Sequence, residues 1–313
     1  HAVMNYAKKI GMEIHISTQA NVSNIDTVEF YANFADVVVL ARELSLMQVA
    51  DISREIKRRN ITGPSGNLIE LEIFAHGALC MAVSGKCYLS LHSHFASANR
   101  GACIQNCRRS YVVTDKEDGI EFEIDNEFIM SAKDLCTIDF IDKILDAGVS
   151  VLKIEGRGRS VDYVHTVTKC YNEAIDAYLD KTYSQEKVAF WKNQLATVFN
   201  RGFWDGYYLG RKMGEWCDEN GSKSSKKKIY LAKGLKYFEQ AHVGEFKCES
   251  HSLSVGDEIM ITGPTTGYLE MIIDELRVDG KPAEKAIRGD IFTLSIKDKI
   301  RPSDKLYKLV PEN

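Results

Sequence analysis

Two short runs with almost no polar residues constrain this chain most. They are residues 36–40 (DVVVL) and 149–154 (VSVLKI). A strand that is apolar on both sides belongs in a sheet covered on both faces, which is the situation of parallel sheets. Patterns of helical period fall around these runs. Residues 24–34 predict a helix capped by Ser23 or Asn24. Residues 45–58 predict another, with Leu46, Val49, Ile52 and Ile56 at helical spacing. Residues 13–18 (EIHIST) and 68–75 (LIELEIFA) predict further strands, and 128–131 a short one leading into Lys133 and Asp134. Residues 138–147 and 161–178 predict helices, and 111–124 a hairpin around Asp118-Gly119. Residues 181–220 predict helix followed by a loop. This βαβ rhythm, with five strands of one type, predicts a parallel sheet or (β/α) barrel.

The pattern changes at Ile229. Residues 255–263, 268–274 and 290–296 read as short strands between glycine-rich turns, the signature of an all-β domain, expected here to be a small barrel. The expected organisation is an α/β domain over 1–220, a basic linker over 221–228 and a β-barrel domain over 229–313. The linker carries Lys223, Lys226, Lys227 and Lys228. A net charge of -4 gives no global basic signature, so a nucleic-acid surface has to be local. No apolar run is long enough for a membrane helix and no secretory signal opens the chain, which predicts a cytoplasmic protein without membrane partners.

Residues 80–107 hold four of the eight cysteines, as the pairs Cys80/Cys87 and Cys103/Cys107. Disulfides fit poorly, because cysteine is sparse over the whole chain. Zinc knuckles place two to four residues between paired ligands; Cys103 and Cys107 fit that rule, whereas Cys80 and Cys87 do not. Thiolates of an iron–sulfur cluster come from looser spacings. Gly77, Gly85 and Gly101 allow backbone to approach a cofactor closely. Spacing favours iron–sulfur over zinc and leaves zinc and incidental thiols open.

These residues carry a resemblance. The runs 70–80 (ELEIFAHGALC), 84–90 (SGKCYLS), 99–109 (NRGACIQNCRR), 131–135 (SAKDL) and 153–157 (KIEGR) resemble the collagenase-like, or U-thirty-two, peptidase family. Some of its members are tRNA uridine hydroxylases. The resemblance implies a TIM-type (β/α) barrel, present here in part, with roughly three strand–helix units expected before His1. It also implies a carboxyl-terminal module similar to translation-factor barrels. It implies that Cys80, Cys87, Cys103 and Cys107 hold a [4Fe-4S] cluster. The implied activity is oxygen-independent hydroxylation of a wobble uridine to 5-hydroxyuridine, with the dicarboxylate prephenate as co-substrate and a tRNA anticodon loop as partner. The family name implies a peptidase instead, and a further branch implies a ubiquinone-pathway hydroxylase subunit.

In a barrel, functional side chains gather at the carboxyl ends of the strands. That rule selects Gln19 and Asn21, Arg42 and Glu43, His76, Lys133, Glu155 and Arg157. Arg42 and Arg157 suit a dicarboxylate, with Gln19, Asn21 and Lys133 as further substrate-binding candidates. Glu43, Glu155 and His76 are the acid–base candidates. The four lysines from Lys223 to Lys228 are expected to meet RNA phosphates. For a peptidase, neither HExxH nor GxSxG is present, and the available pair, Cys136 and His165, falls on helical patterns.

Overall fold

The computed structural model describes residues 2–114, 116–119, 121–122, 130–210, 215–218 and 221–312. The chain divides into two compact units. The first comprises residues 1–157, 167–193 and 200–223, and the second 158–166, 194–199 and 224–313.

In the first unit α1 (Ala2–Lys9) precedes β1 (His15–Ile16), α2 (Ile25–Ala32), β2 (Val37–Val39), α3 (Leu46–Arg59) and β3 (Glu70–Ala78). The helices start where the side chains cap them. The Thr27 amide donates to Asn24 Oδ1 at 2.9 Å, and Ser45 and Gln48 form a reciprocal capping box. Val49, Ile52 and Ile56 make the buried stripe of α3. After α4 (Leu89–His94), β4 (Val113–Thr114) pairs antiparallel with β5 (Glu121–Phe122), as expected of the hairpin. Then follow β6 (Asp134–Cys136), α5 (Ile141–Asp146), β7 (Val151–Glu155), α6 (Val161–Leu179), α7 (Gln185–Ala196) and β8 (Phe203–Trp204). Gly148, at φ +87°, turns the chain into β7; a side chain there would collide with Ser53 on α3.

Strands β1, β2, β3 and β7 are mutually parallel, and all three residues of β2 are buried. The alternation of strand and helix is therefore real, but two expectations change. Phe128 and Ile129 lie outside the described residues, and the strand of that region is β6, which starts at Asp134 and runs antiparallel to β3. Apolar residues alone do not encode strand direction. The described sheet has order β1-β2-β3-β6-β8, with β7 on β3, so among the described residues it has ends and does not close into a barrel.

The second unit is an antiparallel β structure. Its strands are β9 (Lys226–Phe238), β10 (Val243–Cys248), β11 (Ser252–Ser254), β12 (Glu258–Gly263), β13 (Gly267–Ile272), β14 (Leu276–Val278), β15 (Lys281–Pro282), β16 (Lys285–Ile287), β17 (Ile291–Ser295) and β18 (Lys305–Pro311). Eight of them form one sheet, ordered β13-β12-β18-β9-β10-β17-β14-β15, and β11 pairs with β16. The core is Phe246 stacked on Phe292, with Leu231, Ile259, Ile261 and Leu306 around them. Lys226, Lys227 and Lys228 are not linker: they open β9, where β18 supplies a partner strand as far as Lys226. Among the described residues no helix is long and apolar enough to cross a membrane.

Candidate functional site

The carboxyl end of β3 runs directly into the cysteine loop, and turns after three other strands reach that loop or the end of β3 that leads into it. After β1, a short helical turn (Thr18–Ala20) presents Gln19. Its amide nitrogen donates to the Asn99 carbonyl at 3.4 Å, and it packs where any side chain at Gly85 would have to go. After β2, Arg42 donates through Nη1 to the Ala78 carbonyl at 3.5 Å and lies 3.8 Å from the centroid of the Phe74 ring. After β7, Arg157 reaches the Gly101 carbonyl at 3.5 Å, and its own amide donates to Glu155 at 2.9 Å.

Arg42 is the electrostatic centre of this convergence. Burial pulls its pKa below the ordinary value; the charges of Cys80, Glu155, Tyr208 and Glu43 oppose that shift. The guanidinium stays cationic. Among the described residues its buried Nε has no hydrogen-bond partner, an atom that an acceptor on a ligand can satisfy.

The four thiols form one neighbourhood. Burial raises the Cys107 pKa, the adjacent Arg108 lowers it, and Cys80, Cys103 and Cys87 each push it up again. Cys80 and Cys103 are exposed, Cys87 and Cys107 half-buried. Among the described residues no three His, Cys, Asp or Glu side chains are close enough together to hold one metal ion. A zinc site draws its sulfurs to about 2.3 Å from a single centre. In a cluster each thiolate can bind a different iron, so the sulfurs stand further apart. The Gln105 amide points at Cys103 Sγ, 3.4 Å away, the kind of donor that stabilises thiolate charge. Cys80, Cys87, Cys103 and Cys107 are the free thiols that the loop brings into one neighbourhood.

The remaining candidates separate. His76 lies inside β3, not beyond it: it is 1% exposed, with its ring against Phe203 and its Nδ1 3.4 Å from the Tyr171 hydroxyl. The strand runs three residues further than its apolar run because His76 and Gly77 pair with both β6 and β7, and Ala78 with β6. His76 is a packed core residue. Asn21 takes the left-handed conformation that ends the turn after Gln19. Glu43 is exposed and acts on Arg42 through charge. Lys133 pairs with Glu215 at 2.9 Å. The linker lysines are largely engaged: Lys223 with Asp218, Lys226 with Glu258, and Lys228 with Asp162 at 2.8 Å. Cys136 is on β6, not a helix, and burial pushes its pKa up to about 12. His165 packs its ring on Tyr268.

Sequence reasoning missed three contributors. Arg108 ties the loop to Leu79, Ser131 and Ala132. Ser90 Oγ accepts from the Ile104 amide at 3.1 Å and sits 3.8 Å from Cys103 Sγ. Glu72, buried in β3, pairs with Lys153 at 2.7 Å and His15 at 3.5 Å. Arg108 follows Cys107 directly in sequence, which was its only signal. The spacing of Glu70, Glu72 and His76 at even steps along the strand was the signal that one face of it carries polar groups.

The profile of Peptidase family U32 matches residues 1–218. The chain belongs to that family. Its relatives carry two kinds of name. A Porphyromonas gingivalis protein named collagenase is 57% identical over 98% of this chain and 74% of its own length. The Bacillus subtilis tRNA hydroxylation protein P1 is 33% identical over 95% of this chain and 69% of its own. The Escherichia coli 23S rRNA 5-hydroxycytidine C2501 synthase is 31% identical over 64% of this chain and 30% of its own. Members of the U32 family are thus named as peptidases and as RNA-hydroxylating proteins, and in both cases as enzymes.

Proposed function

We propose that this U32 chain is an RNA-modifying enzyme that hydroxylates a tRNA wobble uridine at C5, with prephenate as co-substrate and a [4Fe-4S] cluster on Cys80, Cys87, Cys103 and Cys107. One observation carries the reading: Gln19 and Arg157, after two different strands, contact a loop that holds four neighbouring thiols, and Arg42, after a third, contacts the last residue of β3 where that loop begins. The names of the tRNA and rRNA relatives supply the substrate class. The sheet with parallel β1, β2, β3 and β7 is read as part of a (β/α) barrel whose mouth is this site.

Within that reading each side chain has a task. Arg42 and Arg157 bind the two carboxylates of the co-substrate, Arg42 with a buried guanidinium whose Nε seeks an acceptor. Glu155 fixes the Arg157 backbone and holds charge near Arg42. Gln19 braces the loop at Asn99. Arg108 ties the loop back to the end of β3. The cluster, when bound, supplies one-electron transfer or a structural anchor, since four cysteines saturate its irons.

The name of the 57% identical relative favours a second reading, a peptidase. A thiol peptidase requires a thiol of lowered pKa; Cys136 has the opposite, near 12. Nucleoside analysis separates the readings. Total tRNA from a strain lacking the gene should lack 5-hydroxyuridine or its derivatives, and the wild-type gene should restore them. Unchanged nucleosides, together with cleavage of gelatin by the purified chain, would establish the peptidase instead.

A further inference from the structure

We infer that the exposed face of β10, β9 and β18 is a docking surface for RNA phosphates, built on Lys247, Lys233 and Lys305. The inference rests on the RNA reading above and assigns it a place in the second unit.

The three lysines stand in one row across three neighbouring strands. Lys247 is directly opposite Lys233, and Lys233 directly opposite Lys305. All three are exposed, and among the described residues none has an ion-pair partner. Strands in a sheet lie about 4.8 Å apart, so three positive charges fall within roughly 10 Å. The row ends at Ile291 beyond Lys247 and at Thr262 beyond Lys305, with no acid in it.

Like charges directly opposite one another destabilise a sheet. Elsewhere in the same unit lysines meet carboxylates: Lys226 with Glu258, Lys228 with Asp162, Lys308 with Asp257. A polyanion laid across the row would turn the repulsion into attraction. The acids nearest along β10 are Glu245 and Glu249, and Glu249 accepts the Tyr230 hydroxyl. Tyr307, two residues from Lys305 and on the same side of β18, faces Tyr230 across the strands with ring centroids 5.6 Å apart. Cations beside aromatic rings are how single-stranded nucleic acid is held without sequence choice: phosphates on the lysines, bases against the rings. Lys226 and Lys228 at the start of β9, being paired, suit this task less.

The test uses the full chain and a Lys233→Gln/Lys247→Gln/Lys305→Gln variant, with labelled unfractionated tRNA as probe and polyglutamate as a second polyanion. Affinity is measured against salt concentration. The variant should lose roughly tenfold or more in tRNA affinity at low salt, and its log–log salt slope should fall by about 2, from roughly 0.7–0.9 per lost contact. Its thermal midpoint should equal or exceed that of wild type, because repulsion has been removed; this shows that the loss is not unfolding. If wild type binds tRNA and the variant matches it in affinity and slope, the surface is not the docking face, while the RNA reading stands. If wild type ignores tRNA but binds polyglutamate through these lysines, the face serves an acidic protein partner, and both the inference and the RNA reading fail.

Discussion

The Arg108 guanidinium donates to the Leu79 carbonyl at 2.8 Å, which ties the residue after Cys107 to the residue before Cys80. The same group reaches Ser131 Oγ at 3.1 Å and the Ala132 carbonyl. One side chain therefore closes the cysteine loop at its base and fastens it to the segment entering β6. Arg108→Ala should destabilise the fold by about 1.5–3 kcal/mol, the range for hydrogen bonds from a charged group. Lysine offers a point charge in place of a planar fork and should recover only part of that. Urea unfolding and protease cleavage within residues 80–107 measure both effects. An Arg108→Ala chain as stable and as resistant as wild type would show that the tether is idle.

Arg42 and Arg157 come from different strands, and the proposed function assigns one carboxylate to each. Alanine at either should weaken prephenate binding by about 1.5–3 kcal/mol, measured by calorimetry. Arg42→Lys should not restore it, because the stack on Phe74 and the buried Nε depend on the guanidinium plane. Undiminished affinity in both alanine variants would remove the arginines from the substrate site.

The eight thiols divide by environment. In metal-free protein Cys80 and Cys103 should react with iodoacetamide first, and Cys87 and Cys107 after them. Cys136 and Cys170, both buried with pKa values pushed up to about 12, should be protected while the chain is folded. The same burial fixes a sign for alkaline stability. A thiol in the unfolded chain ionises near pH 8.5, whereas these two stay neutral in the folded state. Their stabilisation is complete below about pH 8.5 and is lost as the pH rises toward about 12. Urea midpoints should fall over that range, and Cys136→Ala should flatten the decline. Labelling of Cys136 at the rate of Cys80 would contradict the burial.

The sequence showed the fold where local and tertiary preferences agree. Residues 36–40 have no polar alternative to burial, and Ser45 with Gln48 caps a helix whichever way it packs. Direction and extent were hidden. The antiparallel course of β6 depends on what β3 offers at His76–Ala78, and Lys226 to Lys228 become strand only because β18 lies alongside. That the four loop cysteines share one neighbourhood was legible from spacing and motif together. The role of His76 was not, since a histidine at the end of an apolar run looks the same whether the strand stops or continues. The lysine row was invisible for a simpler reason: Lys233, Lys247 and Lys305 are remote in sequence and meet only through register.

The four thiols as ligands of one iron–sulfur cluster are the centre of this account, and metal content tests them most directly. Chain purified without oxygen should contain about four irons and matching acid-labile sulfide, with a brown colour that is lost in a Cys80→Ala/Cys107→Ala variant. About one zinc per chain and no iron under the same conditions would contradict it.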